Sequence, residues 1–211
     1  CPDDLKKISK KDLSLLSDEI AEYIHEVITR KGGHYSSPLG VIDLTLALHF
    51  VYKSPIDKLI WDTGHQAYAH KIITGRRDEF KSLRKKEGIS GFLKISENSH
   101  DIFGAGHAST SISAALGFAH GRDKLKTKGN IIAIIGDGAM TGGMAYEGLN
   151  NLGFHKTQLS IILNDNSFSI SESVGALSNY LTKIITNPTY NQIRDSIWNI
   201  SGKIPTISKQ I

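Results

Sequence analysis

The order of apolar and polar positions along the chain predicts alternating helices and short buried strands. Apolar side chains recur at intervals of three and four over residues 12–30, which predicts an amphipathic helix that ends before a glycine pair. Residues 39–52 read as a second, more buried helix, and the apolar run 59–61 reads as a buried strand. Further helices are predicted from about residue 66 and over about 109–120.

The clearest unit is a strand, a helix and a second strand in direct succession. Residues 131–135 are continuously apolar, the turn Gly136-Asp-Gly138 follows, and a helix over about 142–151 leads to the mostly apolar run 159–163. Two such runs joined by a helix are typical of parallel strands that are buried on both faces. The pattern therefore predicts an α/β fold, with a mostly parallel sheet and helices on both faces.

The helix and strand signals weaken toward the end of the sequence. We expect residues 1–177 to form one domain and residues 178–211 to be a peripheral or poorly ordered segment. The chain begins at Cys1 and not at methionine, and we expect it to be part of a longer polypeptide.

Composition narrows the classes of function that this fold can serve. With 39% hydrophobic residues, 22% charged residues and 20 glycines, the 211-residue chain has the composition of an ordinary globular protein. Basic clusters are interspersed with acids, so the net charge of +4 predicts a solvated surface and no nucleic-acid partner. No apolar run approaches the roughly 20 residues of a membrane span, and Cys1 is the only cysteine. These features predict a cytoplasmic protein without a membrane partner.

Polar residues follow both strands of the central unit, at the point where each strand ends. Asp137 follows the first strand, and Asn164-Asp-Asn166 follows the second. Neighbouring parallel strands lie only about 4.8 Å apart and end at one edge, where the ligands of open sheets bind. One carboxylate with an amide oxygen is suited to Mg²⁺ that completes its coordination with phosphate oxygens and water. The flanking glycines and the amino end of a helix near Thr141 favour binding of the same phosphate.

Each of these two motifs alone is also a common way to end a strand. Their combination, Gly-Asp-Gly, a helix and then Asn, is typical of enzymes that bind thiamine diphosphate. A dinucleotide site fits less well, because the turn Gly104-Ala-Gly106 lacks a third glycine and a convincing preceding strand. Asp137 would also repel a pyrophosphate group unless a metal ion intervened.

Nine histidines are many for this length, and three of them lie in glycine-containing turns. His34, His65 and His107 are predicted in loops that cap the sheet, where imidazole can donate to phosphate or transfer protons near neutral pH. His65 and His70 do not share a helix face, which argues against a zinc pair. The histidines predicted on helical faces, which we interpret as structural or solvated, are His25, His49, His120 and His155.

Several stretches of the sequence resemble one family of thiamine-diphosphate enzymes. They are Gly33–Gly40, Leu59–Lys71, Thr74–Arg77, Gly106–Ser113, Gly136–Met144 and Leu163–Ser171. Together they resemble the 1-deoxy-D-xylulose-5-phosphate synthase family, in the same order from about residue 5 to about residue 182. Transketolases share the two thiamine signatures, but Trp-Asp-x-Gly-His-Gln and Asn-Asp-Asn-x-x-Ser-Ile-Ser are closer to the synthase.

The resemblance implies thiamine diphosphate and Mg²⁺ as cofactors and gives roles to particular residues. Asp137, Asn166 and the main-chain carbonyl of Phe168 would bind Mg²⁺. His34 and His65 would face the reacting carbons. The residues that would line the cofactor are His65, Gly106, His107, Ala108, Asp137, Gly138, Ala139 and Asn166.

Three positions depart from the family pattern. Ala108 stands where serine is common, which removes a possible hydroxyl contact to the cofactor. Phe168 stands where methionine is common, but a main-chain ligand survives that change. Pro38 stands where other residues are usual, so we expect the loop after His34 to differ in shape.

The resemblance also implies a transferase reaction, the decarboxylative condensation of pyruvate with glyceraldehyde 3-phosphate to 1-deoxy-D-xylulose 5-phosphate. This product leads to isoprenoid precursors, thiamine and pyridoxal. Two alternatives stay open, which are transketolase-type two-carbon transfer between sugar phosphates and a non-catalytic remnant that binds the cofactor only. The family implies a homodimer whose pyrimidine-binding and C-terminal domains lie downstream of residue 211. We therefore expect this chain alone to be inactive.

Overall fold

The computed structural model describes residues 1–165, 187–189 and 192. The chain divides into two compact units, Cys1–Ile170 and Ser171–Ile211. In the second unit, the Thr189 amide donates a hydrogen bond to Asn187 Oδ1 at 2.8 Å. The domain boundary predicted after residue 177 falls outside the described residues and stays a prediction.

Four helices precede the first strand. They are α1 (Pro2–Leu5), α2 (Lys10–Lys31), α3 (Ser36–Leu39) and α4 (Ile42–Val51). Ser9 caps α2, because its hydroxyl accepts a hydrogen bond from the Asp12 amide, and Gly32 ends this helix with a φ of 78°. The helix predicted over 39–52 corresponds to α4, which begins three residues later because Val41 has non-helical angles. The short helix α3 before it was not predicted.

Three parallel strands form the sheet of the described residues. They are β1 (Lys58–Trp61), β2 (Ile131–Gly136) and β3 (Ser160–Asn164). Their order is β1-β2-β3, with Trp61 opposite Ile134 and Gly136 opposite Asn164. The predicted parallel pairing is confirmed, and the carboxyl ends of all three strands lie at one edge.

The remaining helices begin and end somewhat differently from the prediction. They are α5 (Tyr68–Lys71), α6 (Ser111–Leu125), α7 (Asp137–Met140) and α8 (Gly143–His155). The helix predicted from residue 66 is only the short α5, because a π-helical turn over Ile72–Arg76 follows it and Gly75 there has a φ of 97°. The glycine turn predicted after β2 is instead the single helical turn α7.

Helices cover both faces of the sheet. Trp61 and Ile134 belong to one buried cluster with Leu48 of α4. The helix α6 packs against β1, β2 and α8. The predicted α/β fold class is therefore confirmed. None of the helices in the described parts of the chain is long and apolar enough to cross a membrane.

Candidate active site

Polar residues line the edge of the sheet at which the three strands end. Asp62 follows β1 and Asp137 follows β2, while Asn164 ends β3 opposite Gly136. The Asp137 side chain is half-buried, and it has no hydrogen-bond or ion-pair partner among the residues that the structure describes. A half-buried carboxylate without a partner is a candidate ligand for a cation.

The backbone beside Asp137 leaves room for a ligand. A Cβ atom built at Gly138 would meet no atom of the described residues within 4 Å, so these residues leave space at this position. The helix α8 begins at Gly143, one residue later than predicted, and Gly142 precedes it without a capping side chain. Its first amide groups are therefore free of a local cap and suited to an anion. Asn166 and Phe168, the other two predicted metal ligands, lie outside the described residues.

The two predicted catalytic histidines lie against each other. The ring centroids of His34 and His65 are 4.9 Å apart, in an edge-to-face arrangement. Both side chains are half-buried, and His65 Nδ1 is a buried atom without a hydrogen-bond partner in the described part of the chain. The chain therefore brings together two imidazoles from loops that are distant in sequence.

Arg84 contacts this pair of histidines, and no sequence motif had selected it. Its Nη2 donates a hydrogen bond to His34 Nδ1 at 2.9 Å, and its guanidinium lies over the Phe92 ring at 5.8 Å. Because arginine can only donate, His34 must accept at Nδ1, so the neutral ring carries its proton on Nε2. Gly91 allows this approach, since a Cβ there would lie 2.7 Å from Arg84 Nε.

Burial favours the neutral form of both imidazoles. Burial lowers the pKa of His34, and the Arg84 guanidinium lowers it further. Burial also lowers the pKa of His65, as does the adjacent His34, while the Asp62 carboxylate opposes both effects. Neutral imidazoles can both donate and accept hydrogen bonds, which suits proton transfer to a bound substrate.

The loop before α6 carries the remaining predicted cofactor residues. Gly106 has a φ of 149°, which favours glycine, and both His107 and Ala108 are exposed. His107 contacts its own neighbours, because its Nδ1 lies 3.0 Å from the Ala108 carbonyl oxygen and its carbonyl accepts from Thr110 Oγ1 at 3.1 Å. The structure brings His34 and His65 together but leaves His107 in a separate, exposed loop.

Buried Asp62 links this loop to the strands. Its carboxylate accepts hydrogen bonds from the Ser109 and Ser111 amides at 2.8 and 2.9 Å. Ser109 Oγ in turn donates to the Ala139 carbonyl oxygen at 2.6 Å, in the segment after β2. One set of hydrogen bonds therefore ties together the loops that carry His65, Ala108 and Ala139.

A second histidine cluster is buried in the core, where the His70 ring lies 5.9 Å from the Trp61 ring. His49 Nε2 is 2.9 Å from His70 Nδ1, and both side chains are 0% exposed. His70 Nε2 lies 3.4 Å from Asp101, which also receives two hydrogen bonds of 2.7 Å from Arg76. The buried position of His49 agrees with its structural interpretation.

The described residues fit thiamine diphosphate held through a metal ion. The unpartnered Asp137 carboxylate, the open space at Gly138 and the uncapped start of α8 suit a metal-bound diphosphate. The buried, unpaired His65 Nδ1 offers a further polar contact. These groups surround the carboxyl edge of the sheet, where the sequence predicted them.

Comparison with known proteins gives one consistent result. The family model described as 1-deoxy-D-xylulose-5-phosphate synthase matches residues 1–211. The synthase of Caldanaerobacter subterraneus subsp. tengcongensis is 56% identical over 210 residues, which cover 100% of this chain and 34% of that protein. The synthase of Syntrophus aciditrophicus is 54% identical over 210 residues, or 100% of this chain and 32% of that protein. The chain spans about a third of the length of the curated relatives it matches.

A solved structure supports the fold independently of close sequence similarity. Transketolase from Leishmania mexicana superposes with a TM-score of 0.69 at 17% identity, covering 81% of this chain and 30% of the transketolase. At this identity the likeness shows the α/β fold alone, whereas the family model and the relatives assign the sequence. The chain belongs to the 1-deoxy-D-xylulose-5-phosphate synthase family.

Proposed function

We propose that this chain forms the diphosphate- and Mg²⁺-binding part of an enzyme that condenses pyruvate with glyceraldehyde 3-phosphate and releases CO₂. The observation that carries the proposal is the Asp137 carboxylate at the carboxyl end of β2, which has no partner among the described residues, in a chain of this family. Its position opposite the end of β3 supports a metal ion held between the two strands. The product would be 1-deoxy-D-xylulose 5-phosphate.

In the proposed reaction, one set of residues would bind the metal ion and another would transfer protons. Asp137, with Asn166 and the main-chain carbonyl of Phe168, would hold Mg²⁺ against the diphosphate. The His34 and His65 imidazoles would donate and accept protons at the substrate oxygens. Bound thiamine diphosphate supplies the nucleophilic carbon and the electron sink that decarboxylation needs.

The two alternatives from the sequence have less support. A transketolase-type transfer between sugar phosphates has support from the fold alone, because the transketolase likeness is at 17% identity. A non-catalytic remnant would have no use for two neutral imidazoles held edge to face at the sheet edge. Release of CO₂ from pyruvate, stimulated by glyceraldehyde 3-phosphate, separates the proposed reaction from both alternatives.

A binding titration tests the metal assignment directly. We expect Asp137→Asn in the full-length protein to abolish Mg²⁺-dependent binding of thiamine diphosphate, because the change leaves the diphosphate charge under-neutralised. Isothermal titration calorimetry with and without Mg²⁺ measures this effect. Asp123→Asn is the control, since Asp123 is an exposed carboxylate paired with Arg122 near the end of α6. Unchanged affinity in Asp137→Asn would remove the central assignment.

The proposed activity needs the full-length protein. We expect the 211-residue chain alone to bind the cofactor weakly or not at all and to form no product, whereas the full-length protein does both. An assay of the purified chain with Mg²⁺, cofactor and both substrates checks this, and steady turnover would mean that the second half of the site is misplaced. The homodimer and the cytoplasmic location stay predictions from the sequence.

A further inference from the structure

A buried carboxylate outside the predicted site holds the loops that form it. Asp62 is 0% exposed, and its two oxygens accept the Ser109 amide at 2.8 Å and the Ser111 amide at 2.9 Å. Thr63 Oγ1 donates to the same carboxylate at 3.1 Å. In the described part of the chain no cationic side chain pairs with it, so main-chain N–H groups are its chief partners.

These contacts replace a helix cap that the local sequence does not supply. Ser111 is the first residue of α6, and the preceding Thr110 makes no capping hydrogen bond with its side chain. The first amides of a helix need acceptors, and a carboxylate at this end is also favoured by the helix dipole. Asp62 therefore caps α6 from a loop about fifty positions earlier in the chain, and that fixes where α6 and the loop before it begin.

Ser109 passes this constraint to the segment after β2. Its φ is 69°, a left-handed conformation that is unfavourable for a non-glycine residue and persists only where the surroundings impose it. With its amide held by Asp62, the Ser109 hydroxyl donates to the Ala139 carbonyl oxygen at 2.6 Å. Packing is tight here, because a Cβ at Gly142 would overlap the Ser109 hydroxyl.

We propose that Asp62 is a positioning residue that holds the loops at Ala108 and at Gly138-Ala139 in the geometry that binds the cofactor. Asp62 itself lies too deep to touch a ligand, and it acts through Ser109. This role rests on the proposed function, because it needs the cofactor to bind at these two loops. It deepens that function by assigning the preorganisation of the site to one buried side chain.

The chain contains a matched control at the opposite end of the same strand. Asp57 precedes β1, is 8% exposed, and also accepts two main-chain amides, from Asn130 at 2.7 Å and from Lys53 at 2.6 Å. It clamps the amino ends of β1 and β2, as Asp62 clamps their carboxyl ends. The two residues therefore have the same chemistry and similar burial, but only Asp62 contacts the candidate site.

The experiment compares Asp62→Asn, Asp57→Asn and Ser109→Ala in the full-length protein. An amide side chain keeps the shape of Asp62 but turns an NH₂ group toward one of the two main-chain amides. We expect Asp62→Asn to raise the dissociation constant for thiamine diphosphate with Mg²⁺ about 10- to 100-fold, the range for groups that orient ligands without touching the metal. Asp57→Asn should lower the melting temperature and leave that constant unchanged. Calorimetry and thermal unfolding provide these readouts.

Hydrogen–deuterium exchange of the cofactor-free protein gives a readout that does not depend on binding. Peptides that contain Ser109 and Ser111 should exchange faster in Asp62→Asn and at the wild-type rate in Asp57→Asn. Ser109→Ala removes only the bond to Ala139, so it should weaken cofactor binding several-fold without unfolding the protein, and it serves as the test if Asp62→Asn fails to fold.

The outcomes separate this inference from the proposed function. If the wild-type protein binds the cofactor and neither Asp62→Asn nor Ser109→Ala changes the dissociation constant, the positioning role is overturned and the proposed function stands. If the wild-type protein does not bind thiamine diphosphate, the proposed function fails and this role fails with it. Faster exchange in Asp62→Asn with an unchanged dissociation constant would overturn the positioning role and identify Asp62 as a structural cap of α6.

Discussion

The two histidine pairs of this chain have nearly the same spacing but different surroundings. The ring centroids are 4.9 Å apart for His34 and His65 and 5.0 Å apart for His49 and His70. The first pair is half-buried beside a guanidinium, and the second is fully buried beside the Asp101 carboxylate. Spacing alone therefore does not distinguish a candidate active-site pair from a structural one.

The two histidine pairs differ in the charged group that lies beside them. His34 Nδ1 is held by a donor, so its Nε2–H remains available toward the open side of the site. In the buried pair, His70 faces an anion that already accepts two hydrogen bonds from Arg76, and burial alone would raise the pKa of Asp101. The Arg76 and His70 groups instead hold that pKa below its usual range. The first pair therefore stands beside a cation in half-buried loops, and the second stands beside a paired anion in the core.

The largest effect should come from changing the open pair. In the full-length enzyme we expect His34→Asn and His65→Asn each to lower turnover about 10²- to 10⁴-fold, the range for loss of a positioned acid or base. Thermal stability should change little, because both side chains are half-buried. Steady-state assays of CO₂ release measure the effect.

His25 and His155 supply the controls for the open pair. Both are exposed on helices, where His25 contacts Tyr35 and His155 contacts His120. Their asparagine variants should keep nearly full activity. Equal activity in all four variants would show that the turn histidines are structural.

The second prediction concerns the anion of the buried pair. We expect Asp101→Asn to lower the free energy of unfolding by about 3–5 kcal/mol, because it leaves the Arg76 guanidinium buried without its bidentate partner. Urea unfolding followed by circular dichroism measures this. Asp123→Asn, on the surface, should change it by less than about 0.5 kcal/mol. A loss in Asp101→Asn as small as in the control would contradict the structural role of the cluster.

The sequence predicted the parts of the site that follow directly from strand ends. The apolar runs fix β1, β2 and β3, so Asp137 had to lie at their carboxyl edge, and the glycine turns placed His34 and His65 in loops. The helix predicted from 39 to 52 begins three residues later in the structure, because the non-helical backbone angles at Val41 are not recorded by the apolar pattern. Strand ends are local features, and local patterns predict them well.

The parts that the sequence did not predict depend on long-range contacts. Arg84 and His34 are fifty positions apart in the sequence. Arg84 itself has a φ of 62°, and no sequence motif predicts this conformation. Asp62 was visible as an acid directly after an apolar strand, the same signal that selected Asp137. Its role stayed hidden because its partners are main-chain amides, which every residue carries and no sequence pattern marks.

The two histidine pairs should also contribute differently to the pH dependence of stability, although this difference is smaller than the effects described above. Burial, followed by the nearby His70, lowers the pKa of His49 to about 2, and burial also lowers the pKa of His70. As the pH falls through about 6.5, these two histidines bind protons in the unfolded chain but stay neutral in the folded chain. Stability is fully present above that pH and is lost as the pH falls toward the folded pKa, by about 1 kcal/mol for His49 at pH 5.5, and His70 adds a loss in the same direction.

Urea unfolding at pH 7 and pH 5.5 measures this loss. Between pH 7 and pH 5.5, the free energy of unfolding of His49→Asn should fall by about 1 kcal/mol less than that of the wild type, because the variant lacks one side chain that binds a proton only in the unfolded chain. His34→Asn should reduce the dependence less, since His34 is less buried and its pKa is lowered more weakly by its surroundings. A stability that does not change between the two pH values would mean that the buried imidazoles accept protons without unfolding.

The smallest expected effect tests the cation of the open pair. Arg84→Met keeps an apolar stem against Phe92 but removes the hydrogen bond to His34 Nδ1, so we expect turnover to fall about three- to tenfold, as for loss of one hydrogen bond. Removing the cation also removes one of the two influences that lower the pKa of His34, so this pKa rises. The acidic limb of the pH–rate profile should then move to higher pH, because His34 becomes protonated earlier as the pH falls. Lys86→Met, at an exposed neighbouring position, should change neither quantity. A fall in turnover without a shift of the acidic limb would show that Arg84 orients His34 but does not control its charge.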